Sequence, residues 1–380
     1  YHFDSDPPVA DPSVLESAAH RALAREAAER SFVLLKNQGA TLPMTRGAGV
    51  DIVVTGALAN FENLGDTGSS SVTSSSVVTV LEGLMADASG ATITHMDHDP
   101  TTAPDQATIS AADYVVVVAG LTANNEGEGD IGAGDRTSLA LSATDVQWIN
   151  DVAALSSKVI VVLEGGAAIT MGNFLPNVEA VVFAWYPGVE GGAALANVLF
   201  GDVNPSGRLP IVFPVAEADL PPFDNVSTEV TYGYFHGYRH LDHNGTTPLF
   251  PFGFGLSYTT FTYANLVVDP GAGNAAATLR VSVDVTNAGS RSGRETVQLY
   301  VGAPGSTVNP RFVRDLRAVE QVDLAAGQTQ TVTLEVPVAD LGIWDTSLNA
   351  FRVESTQYRV EVGSSSRDLP LNAMVGLTEN

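Results

Sequence analysis

Tyr114-Val115-Val116-Val117-Val118-Ala119-Gly120 is an unbroken apolar run. After Leu121-Thr122-Ala123 it gives way to Asn124-Asn125-Glu126-Gly127-Glu128-Gly129-Asp130-Ile131-Gly132-Ala133-Gly134-Asp135-Arg136. Consecutive valines ending in Ala-Gly predict a buried strand that runs into a loop. In an open α/β sheet, the loops at the carboxyl ends of the strands are where ligands bind. Glycines on both sides of an acidic residue let the backbone reach unusual angles, so that a carboxylate can be aimed into a cleft. For these residues alone the competing reading is a solvated acidic turn.

Working outward, the same alternation recurs. Ile52-Val53-Val54 predicts a strand, and Asn63-Leu64-Gly65-Asp66-Thr67-Gly68-Ser69-Ser70-Ser71 a loop after it. A helix is expected over 77–86 and a short strand over 91–96. Ser142-Ala143-Thr144-Asp145 caps a helix whose Val146, Ile149 and Val152 share one face. Val159–Leu163 and Ala180–Phe183 read as buried strands, and a helix over 191–200 closes the series. Apolar strands alternating with amphipathic helices predict an α/β sandwich with a mostly parallel sheet covered on both faces. Before it, Pro7, Pro8 and Pro12 mark a linker. Ser13-Val14-Leu15-Glu16 has the form of a capping box, and the Ala-rich run to about Lys36 has strong helix propensity.

Past residue 262 the period changes from helical to two. Leu279, Val281, Val283 and Val285 alternate with polar neighbours, as do Val297, Leu299 and Val301, then Val332, Leu334 and Val336, and then Tyr358, Val360 and Val362. Short alternating strands separated by Gly, Asn and Pro predict an all-β immunoglobulin or fibronectin III-like sandwich. The expected organisation is a linker and helix over 1–40, an α/β sandwich over 41–214, an irregular connector over 215–262 and the β-sandwich over 263–380.

Composition narrows the function. The formal net charge is −25, and of 18 basic residues only Lys36 and Lys158 are lysine. Such a surface repels phosphate backbones and anionic lipid, so no nucleic-acid or membrane partner is expected. Neutral substrates such as sugars remain open. The absence of cysteine excludes thiol catalysis and disulfides. No apolar run approaches the length of a membrane span. The histidines, His236, His240 and His243 included, show no metal-ligand spacing. Asp97–Asp105 lacks the spacing of a calcium loop, and no lysine follows Gly65-Asp66-Thr67-Gly68 as a phosphate loop requires. Neither a metal nor a cofactor is expected. Tyr1-His2-Phe3-Asp4 has neither a starting Met nor a signal peptide, which suggests that processing or selection of a fragment removed what came before.

Several blocks then converge. Leu34-Leu35-Lys36-Asn37 with Leu42-Pro43, Trp185-Tyr186-Pro187-Gly188, and Leu199-Phe200-Gly201-Asp202 through Asn204-Pro205-Ser206-Gly207-Arg208-Leu209-Pro210 come in order. Gly237-Tyr238-Arg239 and Pro248–Thr259 follow. In order and spacing the chain resembles the C-terminal part of family 3 glycoside hydrolases. That resemblance implies a three-part enzyme made of a (β/α)8 barrel, an α/β sandwich and a fibronectin-like domain, of which this chain resembles the second and third parts. The barrel supplies the nucleophilic aspartate and most sugar contacts. The helix over 13–36 is then the link leaving it. In that family the general acid/base is a glutamate on the loop after a strand of the sandwich domain, often written S-G-E-G and followed later by D-R. By resemblance the role falls on Glu128 within Gly127-Glu128-Gly129, ahead of Asp135-Arg136, with Glu126, two residues earlier, as the fallback; Glu126 is also a departure from the pattern, since many members have serine there.

Retaining hydrolysis needs two carboxyls about 5–5.5 Å apart, one attacking the anomeric carbon and one protonating the leaving oxygen. The acid must keep its proton near neutral pH, and Glu126, Asp130 and the barrel aspartate are like-charge neighbours that raise its pKa. Asp66 and Ser69 are candidates for a leaving-group subsite, with a plain flexible loop as the alternative. Asp135-Arg136 is read as an ion pair holding the loop, and Trp185 as core packing rather than a sugar platform. The expected activity is that of a retaining β-glucosidase on short β-glucosides, with the chain inactive without its barrel, which is either a separate chain or a missing segment. A β-xylosidase, a β-N-acetylglucosaminidase and a non-catalytic carbohydrate-binding module are the alternatives. A homodimer is compatible with the sequence, and an acidic, cysteine-free hydrolase suggests an extracellular or periplasmic location.

Overall fold

A computed structural model of the 380-residue chain describes residues 12–65, 71–126, 136–224, 227–308 and 310–379. Helix α1 (Ala18–Ser31) and strand β1 (Val33–Asn37) come first. They are followed by β2 (Asp51–Thr55), α2 (Val80–Asp87), β3 (Thr92–Met96), α3 (Ala103–Ala111), β4 (Tyr114–Gly120), α4 (Ala123–Glu126), α5 (Ala143–Leu155), β5 (Val159–Glu164), β6 (Ala180–Trp185) and α6 (Gly191–Phe200). The strands form one sheet in the order β1-β6-β5-β4-β2-β3, parallel except for β1, which runs antiparallel to β6.

The valine runs explain the layering. Side chains alternate across a strand, so Val116, Val118, Ile160, Val162 and Val182 face one core with α2 and α6. Val115, Val117, Val159, Val161 and Val181 face a second core with α5. A run that is apolar at every position is what a strand buried on both faces requires.

Two expectations at the N-terminal end are corrected. The first helix stops at Ser31, not near Lys36, because Phe32 turns extended and Val33–Asn37 pair with β6. Phe32-Val33-Leu34-Leu35 would point round most of a helix, leaving part of the set in water. As a strand between two cores all four are buried, so tertiary pairing overrides propensity. Residues 33–37 therefore belong to the sandwich rather than to the incoming linker. The helix also starts later than expected, at Ala18 rather than just after Ser13. Ser17 is the cap, accepting from the His20 amide, while the Glu16 carboxylate accepts from the Ser74 hydroxyl (2.6 Å) and the Ser75 amide (2.7 Å).

The connector, with helix α7 (Gly237–Asn244) as its longest regular element, drapes over both domains. Beyond it come β7 (Phe261–Asp269), β8 (Thr278–Asn287), β9 (Gly293–Gly302), β10 (Asp315–Leu324), β11 (Thr329–Pro337), β12 (Ile343–Asp345), β13 (Ala350–Arg352), β14 (Thr356–Gly363) and β15 (Leu371–Leu377). They build antiparallel sheets β10-β9-β14-β15 and β11-β8-β7 with a small β12-β13 hairpin. The alternating residues of β8, β9, β11 and β14 fill one core, as their period predicts. Strand β9 is buried on its other face as well. Tyr300 packs with Tyr238 of α7, and the Gln298 amide donates to the Gly253 carbonyl at 3.0 Å. Between the domains, Arg208 pairs with Glu295 at 2.7 Å, and the Tyr263 hydroxyl donates to the same carboxylate at 2.7 Å.

Candidate active site

The loops that follow β2, β4, β5 and β6 all leave the sheet at one edge, the carboxyl ends of its parallel strands. The chain turns sharply there. A Cβ on Gly120 would lie 2.0 Å from the Glu164 carbonyl oxygen, and with φ at +148° only glycine lets β4 end so close to β5.

Glu126 ends the short helix α4 and is the described residue that holds this corner together. Its Oε2 accepts from the Tyr186 hydroxyl at 2.5 Å and from the Gly166 amide at 2.7 Å. Its Oε1 accepts from Arg136 Nη1 at 3.0 Å, and the same nitrogen donates to the Ala168 carbonyl at 3.1 Å. Both side chains of the ion pair are 12% exposed. Charge-assisted bonds of this kind are about twice as strong as neutral ones. With both oxygens engaged, Glu126 is built as an anchor. Its pairing with Arg136 joins the two described residues on either side of 127–135.

Strand β6 prepares this contact. Leu163 pairs with Phe183 and Glu164 with Trp185, so Ala184 is an extra residue and the strand bulges. Trp185 sits at φ +58°, a region costly for a non-glycine residue. A bulge beside a site re-aims the side chains that follow it. Here it precedes Tyr186, whose hydroxyl meets Glu126. The Trp185 ring packs edge-on against Phe183, 4.7 Å between centroids, and its indole N–H donates to the Ser31 carbonyl at 3.1 Å, so its role is packing.

Under the anchor lies Glu164, the last residue of β5, 2% exposed. The Asn63 amide nitrogen donates to Glu164 Oε2 at 2.9 Å and to the Leu121 carbonyl at 2.8 Å. Burial pushes the Glu164 carboxyl up to about 8, with the Asn63 hydrogen bond a smaller influence in the other direction.

Of the residues singled out in the sequence, Glu128, Asp66, Ser69 and Asp135 lie outside the described residues, while Glu126 and Arg136 lie within them and pair with each other. Asn63, Glu164, Gly166 and Tyr186 were not picked out as site residues. The available signal was a glutamate directly after the apolar run Val159–Leu163, followed by two glycines, at a position where the sheet predicts a loop. Among the described residues no cluster of metal-ligating side chains is present. His98 is occupied by Asp97 and Asp105, and His243 stacks on Phe235. No described helix is long and apolar enough to cross a membrane.

Comparison with known proteins places this arrangement. A profile of the glycosyl hydrolase family 3 C-terminal domain matches residues 32–258, and one of the fibronectin type III-like domain matches residues 295–366. The chain is 35% identical to an exo-alpha-(1->6)-L-arabinopyranosidase of Bifidobacterium breve over 99% of its own length and 50% of the relative's. It is also 35% identical to the thermostable beta-glucosidase B of Acetivibrio thermocellus, over 94% of the chain and 48% of that enzyme. The crystal structure of a family 3 beta-glucosidase from Bifidobacterium adolescentis superposes with a TM-score of 0.83 at 33% identity, over 94% of this chain and 53% of that one. The chain thus spans about half the length of these relatives.

Proposed function

The chain belongs to glycosyl hydrolase family 3, as its C-terminal domain pair, and on that footing we propose that it is the acid/base-bearing half of a retaining β-glycosidase, a β-glucosidase acting on terminal β-D-glucosyl residues of short glucosides. The observation that carries this reading is the Glu126–Arg136 tie. It brings Glu126 and Arg136, the described residues nearest Glu128 in sequence on each side, against Gly166 and Tyr186 at the carboxyl ends of the strands.

In this reading the two glutamates divide the work. Glu126, committed to three donors, is the anchor, and Glu128 is the acid/base. Glu128 protonates the leaving oxygen while an aspartate of the barrel attacks the anomeric carbon. In the second half Glu128, now a carboxylate, takes a proton from the water that releases the sugar with retained configuration. The barrel is supplied by a preceding segment or a separate chain, and the 380-residue chain alone turns over no glucoside. An extracellular or periplasmic location fits the acidic, cysteine-free composition.

The test joins the chain to the barrel proposed to precede it and compares Glu128→Gln with Glu126→Gln. General acid/base help is worth roughly 10²–10⁴ in rate. Glu128→Gln is expected to lose that much on alkyl glucosides, little on substrates whose leaving group needs no proton, and to regain rate with azide. An alkyl-glucoside rate within threefold of wild type would refute the assignment. A second reading, cleavage of a pentopyranoside, is favoured by the arabinopyranosidase relative. Parallel assays with aryl β-glucoside, β-xyloside and α-L-arabinopyranoside decide between them.

A further inference from the structure

We propose that Glu164 is a positioning residue of this site, its carboxyl forming with Asn63 a buried knot that holds the loop after β4 against the loops after β2 and β5. The proposal rests on the reading that the loop after β4 bears the acid/base. Asn63, on the loop after β2, reaches with one amide nitrogen to both Leu121 and Glu164. The Leu121 amide in turn donates to the Glu164 carbonyl at 2.8 Å, so the first residue of the β4 loop is held at both its N–H and its C=O. Two residues beyond Glu164, the Gly166 amide binds Glu126. Gly165 is held by the Trp185 carbonyl at 3.0 Å. The knot and the anchor are thus consecutive along one short stretch of chain.

Burial favours the neutral carboxyl, so ionising it works against keeping these loops packed over it. Among the described residues no cation is placed against it. Of the titratable groups on the surrounding elements, Glu126 and Tyr186 are bonded to each other, and Arg136 to Glu126 and the Ala168 carbonyl. Glu62, beside Asn63, is exposed. The acidic residues within 127–135 lie outside the described residues. The influences on Glu164 are burial, which favours the proton, and the Asn63 N–H, which opposes it.

The sign follows. With the proton held up to about 8 in the closed loop and an ordinary value of 4.5 when the loop opens to water, closure is strongest below pH 4.5. It weakens as pH rises toward 8 and levels off above it. The experiment is hydrogen exchange on the 380-residue chain at the amides of Leu121, Gly165 and Gly166, corrected for intrinsic exchange. Between pH 5.5 and 7.5 protection in the wild type is expected to fall by tenfold or more. Glu164→Gln keeps the acceptor for Asn63 without an ionisable proton, and its protection should stay within twofold over the same range. Glu164→Met, with neither acceptor nor proton, should show lower protection that does not vary with pH. Wild-type protection independent of pH, or an equal fall in Glu164→Gln, overturns the proposal whatever the enzyme's activity. In the barrel-containing enzyme the alkaline limb of kcat/KM should move upward in Glu164→Gln, and an unmoved limb also overturns the positioning role. The exchange measurement needs no turnover, so failure of the catalytic reading shows separately, as absence of glycosidase activity in an enzyme whose loop still titrates.

Discussion

Arg208→Ala tests whether the two domains are one thermodynamic unit. Glu295, on β9 of the β-sandwich, is 2% exposed, and its carboxylate is held by Arg208 from the other domain and by Tyr263. Burial already pushes the Glu295 proton affinity up, and Arg208 is the main influence pulling it back. Removing one partner of a buried ion pair costs about 3–5 kcal/mol. Because the Tyr263 hydroxyl remains, the lower figure of about 3 kcal/mol applies here. A chain of 380 residues has an unfolding entropy of about 0.8 kcal/mol per degree at roughly 2.1 cal/mol/K per residue, so the midpoint should drop by about 4 °C. Calorimetry reads this directly, and the single wild-type transition should broaden or split as the β-sandwich loses its grip on the sheet domain. The deficit should shrink as pH falls, because burial raises the proton affinity of Glu295 and a protonated carboxyl no longer needs the guanidinium. Arg208→Met with Glu295→Leu, which removes both charges, should recover most of the loss. A midpoint within 1 °C of wild type for Arg208→Ala, or a double variant as unstable as the sum of the singles, would refute the reasoning.

Other outcomes follow from the same structure. The Glu164 carboxyl, neutral up to about 8 when buried and ordinary at 4.5 when exposed, makes the chain lose up to about 5 kcal/mol of stability between those values relative to Glu164→Gln. Urea melts of both at pH 5 and pH 8 check it, and parallel curves would contradict it. Gly83→Ala would put a Cβ 2.0 Å from the Gly192 carbonyl oxygen where α2 crosses α6, so soluble yield and melting temperature should fall sharply. Glu190→Ala strips the carboxylate that binds Arg21 at 2.6 Å and Arg25 at 2.5 Å, and should speed proteolytic cleavage within α1 at least tenfold. Tyr186→Phe removes one donor from Glu126, about 1–2 kcal/mol, and should lower kcat of the barrel-containing enzyme by roughly tenfold with little change in KM.

The strands were readable because burial on both faces writes itself as unbroken apolar runs, and burial on one face as alternation, so Val115–Val118 and Leu279–Val285 declared their environments. The break between α1 and β1 was not readable, since Phe32–Leu35 follow an Ala-rich helix with no glycine or proline between. Only the partner strand, far downstream, decides their conformation. The acidic stretch stood out in the sequence, but the partners of Glu126 did not. What commits Glu126 to anchoring is Tyr186, Gly166 and Arg136, and no local pattern joins them. Glu164 escaped for the reverse reason. It reads as the polar end of a strand, where a charged residue normally meets water, and Asn63 and the loops that bury it come from elsewhere in the sequence.

The antiparallel edge strand also fixes an order of events during synthesis. Val33 finds Phe183 about 150 positions later, and the Leu34 carbonyl accepts from the Leu256 amide later still. At 5–20 residues per second, Val33-Leu34-Leu35 leaves the ribosome roughly 8–30 s before the strand it pairs with. For that interval a sticky, unpaired segment waits while everything between it and its partner is made. The first residues of the sheet to be synthesised are therefore among the last to be secured, and the nascent chain is most open to chaperone capture or to a wrong strand partner at that stage.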